Sequence, residues 1–402
     1  MALIICYFKL VIYGKIAPML NLKEYFLLDP NVTYLNHGSF GACPRPVFEA
    51  YQNWQRELER QPVGFIGKRS ALLATARARL ANFLGVHAND VVYFPNPTTA
   101  INMVARNVKL QPGDEILTTD HEYGAMDRTW RYICKKAGAK YINRPVPLPL
   151  TTIEAFVENF WAGVTPRTKV IFISHITSPT ALIFPVKEIC QRARQAGILT
   201  IIDGAHAIGQ IPLDLVDIGC DIYTGACHKW LCAPKGSAFL YARREVQYWL
   251  DPLVISFGYN EDPSQSTYSN SRFVDYHEWQ GTCDVSSYLA TPSAIDFQAE
   301  LDWDEVRKRC HQLGLETRQR IDALTGLSPI CDQAWFGQFF VARLPESTDQ
   351  DALHQRLYVE RSIVVPYSQL NGHKFIRVSF QGYNTEEDAD ILVKALEQFY
   401  SR

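Results

Sequence analysis

The sequence lacks the features that mark several classes of protein. Its ten cysteines show no repeating short spacing, which argues against a disulfide framework and favours reduced, buried thiols. It has no long run of like charge and a formal net charge of −2, so neither a nucleic-acid-binding nor a membrane-binding surface is expected. These absences favour a globular, cytoplasmic protein.

Length and composition indicate one large domain with a smaller companion. The chain has 402 residues, of which 47% are hydrophobic and 20% are charged, enough for a large core and too apolar for disorder. We expect a large domain over residues 19–300, beginning with a helical segment, and a small α+β domain over residues 301–402. Residues 1–18 contain an apolar run that Lys9 interrupts and that is too short to span a bilayer. They are expected to form an N-terminal extension, and an edge element of the core is the alternative.

Short continuous apolar runs recur from residue 91 onward, and helical stretches separate many of them. This alternation is typical of an α/β fold with a mostly parallel sheet that is buried on both faces. In such sheets ligands gather at the carboxyl ends of the strands. The predicted strands are Val91–Phe94, Glu115–Thr118, Lys169–Ser174, Leu199–Asp203, Ile222–Gly225 and Ala238–Tyr241.

Apolar residues at helical spacing predict helices on both sides of this region. After residue 300 a long helix and two strand candidates, Trp335–Arg343 and Phe375–Phe380, indicate the small domain. The predicted helices are Pro44–Gln61, Arg69–Leu84, Ala100–Val108, Val186–Ala196, Trp303–Leu324 and Thr385–Tyr400.

Two segments carry the chemistry. Asp203-Gly-Ala-His206 places a carboxylate at the end of an apolar run, and Thr224-Gly-Ala-Cys-His-Lys-Trp230 places a lysine after a small-residue turn. An amine that can form a Schiff base and a carboxylate that can face a pyridinium nitrogen are the minimum equipment for pyridoxal-phosphate chemistry. Cys227 and Cys232 flank this lysine but lack the second pair that zinc needs, so no metal site is expected.

The segment Pro95-Asn-Pro-Thr-Thr-Ala100 lies between a predicted strand and a predicted helix. The first N–H groups of a helix have no partner within it and can hold a phosphate. Thr98 and Thr99 would add hydroxyl donors at the same place. Simple capping of the helix by threonine is the alternative interpretation.

Eight short motifs follow one another along the chain: Tyr34-Leu-Asn-His-Gly-Ser-Phe-Gly41, Asn96-Pro-Thr-Thr99, Asp120-His-Glu-Tyr-Gly124, Ser174-His-Ile-Thr-Ser-Pro-Thr180, Asp203-Gly-Ala-His206, Gly225-Ala-Cys-His-Lys229, Gly281-Thr-Cys-Asp284 and Ile376-Arg-Val-Ser379. With them the chain resembles a fold-type I pyridoxal-phosphate-dependent enzyme of the class V aminotransferase family. Within that family it is most similar to the isopenicillin N epimerase-like branch, with the cysteine desulfurases as relatives. The match covers about residues 34–400 and implies a sheet of the seven-stranded type.

The resemblance implies roles around the cofactor ring. Lys229 would bind the cofactor covalently and later move the α-proton of the substrate. Asp203 would pair with the protonated ring nitrogen and strengthen the electron sink. His206 would lie beside the ring and its 3-hydroxyl, although a histidine satisfied within the core is the alternative. Tyr123 is expected to stack on the ring, with His121 as a competitor.

Further roles concern the phosphate, the substrate and a second subunit. Relatives build each site across a two-fold dimer interface, so the resemblance implies a homodimer. Arg377 would hold the α-carboxylate of the substrate through a bidentate fork. The remaining implied contacts are Thr98, Thr99 and His228 at the phosphate, Thr282 at the phosphate of the neighbouring subunit, Ser178 near the 3-hydroxyl, and Asn36 and His37 at the substrate.

The resemblance implies an enzyme that acts on an α-amino acid through an external aldimine and α-proton abstraction. Epimerisation or racemisation ranks first, and it needs a second acid, for which His37 and nearby tyrosines are candidates. A C–S lyase of the cysteine desulfhydrase type, an aminotransferase and a non-catalytic cofactor carrier are the alternatives. Desulfurase activity is not expected, because residues 361–374 contain no nucleophilic cysteine. Trp230 is expected to be a packing residue.

Overall fold

The computed structural model describes residues 22–262 and 264–401. The extension predicted for residues 1–18 lies outside this part of the chain. No helix among the described residues combines the length and the apolar character that a bilayer crossing requires. The strands are β1 (Thr33–Tyr34), β2 (Val91–Phe94), β3 (Glu115–Thr119), β4 (Lys140–Arg144), β5 (Thr168–Ser174), β6 (Leu199–Asp203), β7 (Ile222–Gly225), β8 (Ala238–Ala242), β9 (Phe339–Leu344), β10 (Ile363–Val364), β11 (Tyr367–Leu370) and β12 (His373–Ser379).

Strands β2 to β8 form one seven-stranded sheet in the order β2-β8-β7-β6-β5-β3-β4. Neighbouring strands from β7 to β4 run parallel, whereas β8 is antiparallel to both β7 and β2. Every residue of β2, β3, β7 and β8 is buried, as expected for a sheet covered on both faces. The predicted α/β fold with a mostly parallel sheet is confirmed.

Helices cover both faces of this sheet, and a further helix packs on the small sheet of β9, β11 and β12. The α-helices are α1 (His37–Phe40), α2 (Arg45–Arg60), α3 (Pro62–Phe83), α4 (Pro97–Asn107), α5 (Gly124–Ala137), α6 (Ile153–Trp161), α7 (Val186–Gln195), α8 (Leu215–Ile218), α9 (Arg272–Glu278), α10 (Ser286–Leu289), α11 (Thr291–Glu300), α12 (Trp303–Thr325), α13 (Gln350–His354) and α14 (Glu386–Tyr400). Each predicted helix is present. The predicted start of α3 at Arg69 is wrong, because the side chain of Gln61 accepts from the Gly64 N–H and the helix begins at Pro62.

The small sheet has the order β11-β12-β9 and is antiparallel. Helix α12 packs on β9 and on α14. The strand predicted from Trp335 begins only at Phe339, because residues Gln333–Trp335 form a 3₁₀ turn.

The segment that precedes α1 runs beside the small sheet. Strand β1 pairs in parallel with β10, and the N–H of Ser379 at the end of β12 donates to the carbonyl of Leu35. Helix α1 is thereby held near β12. The division of the chain into domains at residue 300 stays a prediction.

Candidate active site

A cavity opens at the carboxyl ends of β5 and β6 and at the loop after β7. The empty space between its residues is ≈ 690 Å³, which includes space that is open to solvent. Its wall contains seven of the side chains predicted for the site, namely Thr98, Tyr123, Ser178, Asp203, His206, His228 and Lys229. The eight other residues on the wall are Ser39, Phe40, Asn96, Pro97, Met126, Ser174, Ile176 and Ala205.

Asp203 is the last residue of β6, where it pairs in register with Ser174 of β5. Its carboxylate accepts from the backbone N–H of Ala205 at 2.9 Å. Only 4% of the residue is exposed. Burial raises the pKa of Asp203, while the Ala205 N–H and the positive charge of Lys229 oppose that change. A cationic ligand group would therefore stabilise the ionised carboxylate.

Lys229 lies in a tight turn after β7. Its backbone N–H donates to the carbonyl of Ala226, and its carbonyl accepts from the N–H of Cys232. Gly41 packs directly on this turn with φ of +69°, and a Cβ there would lie 2.2 Å from the carbonyl oxygen of His228. Only glycine fits that position.

The side chain of Lys229 points into the cavity, where Nζ lies 3.1 Å from Nε2 of His206. Burial and the nearby charge of Arg377 lower the pKa of Lys229 to about 8, whereas Asp203 acts in the opposite direction. A much larger fraction of this amine is therefore neutral and nucleophilic near pH 7 than for an ordinary lysine.

His206 is buried between the lysine turn and the start of β9. Its Nδ1 accepts from the indole N–H of Trp230 at 3.2 Å. Its ring stacks on Phe339, with 5.0 Å between centroids and 22° between planes. Burial, followed by the charges of neighbouring cations, lowers the pKa of His206 well below its ordinary value. The side chain of His206 is held by core contacts and also lines the cavity. A histidine satisfied within the core and a histidine beside the cofactor are therefore compatible interpretations.

Helix α4 directs its N-terminus at the cavity. The carbonyl oxygen of the Asn96 side chain accepts from the Thr99 N–H at 2.8 Å and from the Thr99 hydroxyl at 3.0 Å. The helix is thus capped by Asn96. The alternative interpretation, in which a threonine caps it, was therefore wrong. Thr98 lies on the cavity wall, and the helix begins at Pro97, three residues before its predicted start.

His228 lies beside the same end of the cavity. Its Nδ1 lies 3.0 Å from the carbonyl oxygen of Ser237, and because a carbonyl can only accept, Nδ1 carries the proton. Burial is the main cause that lowers the pKa of His228 to about 4. The neutral ring therefore presents Nε2 as an acceptor, and it would have to gain a proton to donate to a phosphate.

The two candidates for stacking on the ring occupy different places. Tyr123 precedes α5, lies on the cavity wall and is 48% exposed. His121 is fully buried, and its Nδ1 lies 2.8 Å from Oδ1 of Asp120. The geometry brings Tyr123 to the cavity and holds His121 behind it.

Arg377 of β12 is 8% exposed and is not among the residues on the cavity wall, but it contacts two residues that are. Nη1 donates to the carbonyl and the hydroxyl of Ser178 at 2.6 and 3.3 Å, and Nη2 donates to the hydroxyl of Ser39 at 2.8 Å. Both serines lie on the wall. The Nε atom is buried and has no hydrogen-bond partner among the described residues.

Asn36 and His37 are not among the residues on the cavity wall. His37 is fully buried, with Nε2 at 3.0 Å from the Lys229 carbonyl oxygen and Nδ1 at 3.1 Å from the Tyr383 hydroxyl. Asn36 accepts from the hydroxyl of Ser39 through Oδ1. The two residues support the lysine turn and the arginine contact from behind.

A family model for class V aminotransferases matches residues 42–392. The chain belongs to the class V aminotransferase family. The prediction of a pyridoxal-phosphate-dependent enzyme of this family is therefore confirmed.

Named relatives within the class V aminotransferase family include two epimerases and a lyase. The chain is 37% identical to isopenicillin N epimerase of Amycolatopsis lactamdurans, over 94% of this chain and 98% of that protein. It is 35% identical to isopenicillin N epimerase of Streptomyces clavuligerus, over 92% of this chain and 96% of that protein. It is 27% identical to a probable chloroplastic L-cysteine desulfhydrase of Arabidopsis thaliana, over 91% of this chain and 82% of that protein.

Solved structures share this family fold at low identity. A cysteine desulfurase from Thermococcus onnurineus superimposes with a TM-score of 0.80 at 19% identity, over 94% of this chain and 97% of that one. The cystine C–S lyase C-DES gives a TM-score of 0.79 at 21% identity, over 92% and 98% of the respective chains. These structural similarities establish the fold of the chain.

The cavity fits pyridoxal 5'-phosphate by the chemistry of its donor set. It brings a partly neutral amine, Lys229, together with a buried carboxylate, Asp203, as the aldehyde and the pyridine nitrogen of the cofactor require. The N-terminus of α4 lies at the cavity, where Thr98 offers its N–H and hydroxyl for a phosphate, while the Thr99 N–H donates to Asn96. Tyr123 offers an exposed aromatic face at the same cavity.

The sequence analysis missed Glu122, which is buried just beneath the wall. Its carboxylate accepts from the backbone N–H and the hydroxyl of Ser174 at 3.0 and 2.6 Å, and from the hydroxyl of Thr119 at 2.6 Å. Burial raises the pKa of Glu122 to about 8, and the charge of Asp203 adds to that change. Its place inside the motif of residues 120–124, directly after β3, was the signal that could have found it.

Thr282 is exposed and does not line the cavity of its own chain. It follows Gly281, whose φ of +103° favours glycine. The guanidinium of Arg69 holds this segment by donating to the carbonyl of Glu278 at 2.6 Å, and it lies over the ring of Trp279 at 4.7 Å. The threonine is presented outward on a supported loop.

Proposed function

We propose that this pyridoxal-phosphate-dependent enzyme moves the α-proton of an amino acid, or of a small peptide bearing one, as an epimerase or racemase of the isopenicillin N epimerase type. The observation that carries the proposal is the amine of Lys229, of lowered pKa, beside His206 in a cavity that also contains Asp203. The two isopenicillin N epimerases, similar over nearly the whole chain, support the reaction class.

Bound pyridoxal phosphate supplies an aldehyde that condenses with amines and a pyridinium ring that accepts electrons from the α-carbon. In this proposal Lys229 holds the cofactor and then takes the α-proton at Nζ. The carboxylate of Asp203 keeps the ring nitrogen protonated. His206 lies beside the ring and orients the amine of Lys229 through their contact of 3.1 Å.

The phosphate group would bind at the N-terminus of α4, where Thr98 and Thr99 lie in the first turn. His228 would add a donor once it is protonated, which the negative phosphate favours. Thr282 would reach the phosphate of a second subunit, so the functional unit is a homodimer. Its exposure on a supported loop agrees with that role.

The substrate would be held by its α-carboxylate at Arg377, with Ser178 next to it and near the 3-hydroxyl of the cofactor. The contacts of this guanidinium with Ser178 and Ser39, which both lie on the wall, support the assignment. Tyr123, which lies at the cavity while His121 does not, is the better candidate for stacking on the ring. Substrate contacts for Asn36 and His37 have no support from the cavity wall.

A C–S lyase of the cysteine desulfhydrase type is the second candidate, because relatives at 27–28% identity over more than nine tenths of the chain carry that name. It needs no second acid on the opposite face of the substrate. Epimerisation does need a second acid, and Tyr123, a tyrosine on the cavity wall, is the candidate for it. An aminotransferase ranks third. A cofactor carrier would not need the carboxylate contact at Arg377.

The deciding experiment incubates the loaded protein with L-cysteine, L-alanine and other amino acids in deuterated water. Deuterium at the α-carbon together with a change of configuration there indicates an epimerase. Release of sulfide and pyruvate indicates a lyase, and an oxo acid with a pyridoxamine spectrum indicates an aminotransferase. Lys229→Ala is the control for each activity. No exchange and no product with any amino acid would favour the carrier. A cytoplasmic location is part of the proposal and rests on the pattern of unpaired cysteines.

A further inference from the structure

Three side chains form a hydrogen-bonded series at the cavity. The indole Nε1 of Trp230 lies 3.2 Å from Nδ1 of His206, and Nε2 of His206 lies 3.1 Å from Nζ of Lys229. Trp230 is fully buried. The order of these contacts has a chemical consequence, because an indole N–H can only donate.

Trp230 determines which ring nitrogen of His206 carries the proton. Since the indole donates to Nδ1, that nitrogen accepts, and the neutral imidazole carries its hydrogen on Nε2. The lowered pKa of His206 keeps the ring neutral near pH 7. The Nε2–H group therefore points at the amine of Lys229.

This N–H group distinguishes between the two forms of the lysine. A neutral amine has a lone pair that can accept the hydrogen, whereas an ammonium has only donors and would face another donor. Burial and the charge of Arg377 act in the same direction on the pKa of Lys229, and Asp203 acts against them. The His228 ring is also neutral, because burial lowers its pKa to about 4 and the charge of Lys229 acts in the same direction.

We propose that Trp230 is a positioning residue that holds His206 in the Nε2–H tautomer and so favours the neutral form of the Lys229 amine. This proposal rests on the proposed function, in which that amine condenses with the cofactor and takes a proton. It gives a specific role to a residue that the sequence predicts to be packing alone.

The packing of Trp230 allows a substitution that removes its hydrogen-bond donor. Its ring contacts those of His37 and Phe339, at 5.1 and 5.3 Å between centroids. Trp230→Phe keeps an aromatic ring among them and removes the N–H donor. Trp130→Phe is the matched control, because Trp130 is equally buried, its indole N–H has no partner within the described part of the chain, and it packs in the other core cluster.

The first measurement is the tautomer of His206 in the full-length, cofactor-free protein, read from the two ring-nitrogen shifts after ¹⁵N-histidine labelling. We expect the Nε2–H form in the wild type and in Trp130→Phe, and a shift toward the Nδ1–H form in Trp230→Phe. A wild-type ring protonated on Nδ1 overturns the proposal, even if the Trp230 variant does not fold.

The second measurement is the rate of pyridoxal-phosphate uptake as a function of pH. Losing the preference for one tautomer should raise the pKa of Lys229 by about one, so that uptake at pH 7 slows about tenfold in Trp230→Phe. Trp130→Phe should follow the wild type. An unchanged profile in Trp230→Phe, or equal changes in both variants, overturns the proposal. If the wild type takes up no cofactor, the proposed function fails, while the tautomer measurement still decides the role of Trp230.

Discussion

The amine nitrogen of Lys229 lies 3.1 Å from Nε2 of His206. A pKa of about 8 for this lysine makes its neutral fraction at pH 7 roughly 300-fold larger than that of an ordinary lysine. The pair therefore combines a nucleophile with a group that orients it, as covalent catalysis requires. The neighbouring side chains allow this arrangement to be tested one contact at a time.

Arg377→Lys should raise KM for an amino acid about tenfold to a hundredfold and leave the cofactor spectrum unchanged. The ammonium of lysine cannot reproduce a bidentate fork, and a hydrogen bond to a charged group contributes about 1.5–3 kcal/mol. Steady-state kinetics measures the effect. Arg343→Lys, on the neighbouring strand β9, is the control. Loss of the cofactor spectrum in Arg377→Lys would instead assign this arginine to cofactor binding or to the fold.

Cofactor uptake should be coupled to protonation of His228. Its pKa of about 4 makes the ring neutral at pH 7 before the phosphate binds. A phosphate dianion raises this pKa, so the folded protein takes up about one proton per cofactor. Titration calorimetry in buffers of different ionisation enthalpy measures that proton. His228→Asn should lack this contribution, and the same proton uptake in both proteins would show that His228 does not face the phosphate.

Mixed dimers test the cross-subunit role of Thr282. If the partner subunit's site uses this threonine, a dimer of Lys229→Ala with Thr282→Val contains one site with both changes and one intact site. Activity should then recover to a substantial fraction of the wild type, although each variant alone is weak. If Thr282 serves its own chain, every site of the mixed dimer carries one defect, and no recovery follows.

His37→Gln should destabilise the protein without changing KM for the amino acid. Both ring nitrogens of His37 bond to protein groups, and losing a buried hydrogen bond costs about 1–3 kcal/mol. Thermal unfolding of the cofactor-free protein measures the loss. A raised KM with unchanged stability would restore the substrate contact that the sequence predicted for His37.

The sequence predicted the sheet because its inner strands are continuous apolar runs separated by helical stretches. It missed β4, whose sequence is Lys140-Tyr-Ile-Asn-Arg144 and whose side chains are partly exposed at the edge of the sheet. It also missed β1 and β10, which have two residues each and exist only through their mutual pairing. Short or edge strands depend on tertiary contacts that no local pattern reveals.

The candidate site was predictable where motifs end strands and begin helices, as at Asp203 and Thr98. The partnership of Trp230 with His206 was not, because two residues from different loops meet only after the strands β6 and β7 have paired. The position of His37 behind the lysine turn likewise depends on the pairing of β1 with β10. A motif identifies residue types, and the fold decides which of them face the cavity.

The most direct measurement is borohydride reduction of the protein loaded with pyridoxal phosphate, followed by peptide mapping. We predict one stable cofactor adduct on Lys229, none in Lys229→Ala, and an unchanged adduct in Lys235→Ala, where the substituted lysine contacts the Gly41 carbonyl from the same loop. An adduct on another lysine, or one that persists at the same level in Lys229→Ala, would contradict the assignment of this cavity as the cofactor site.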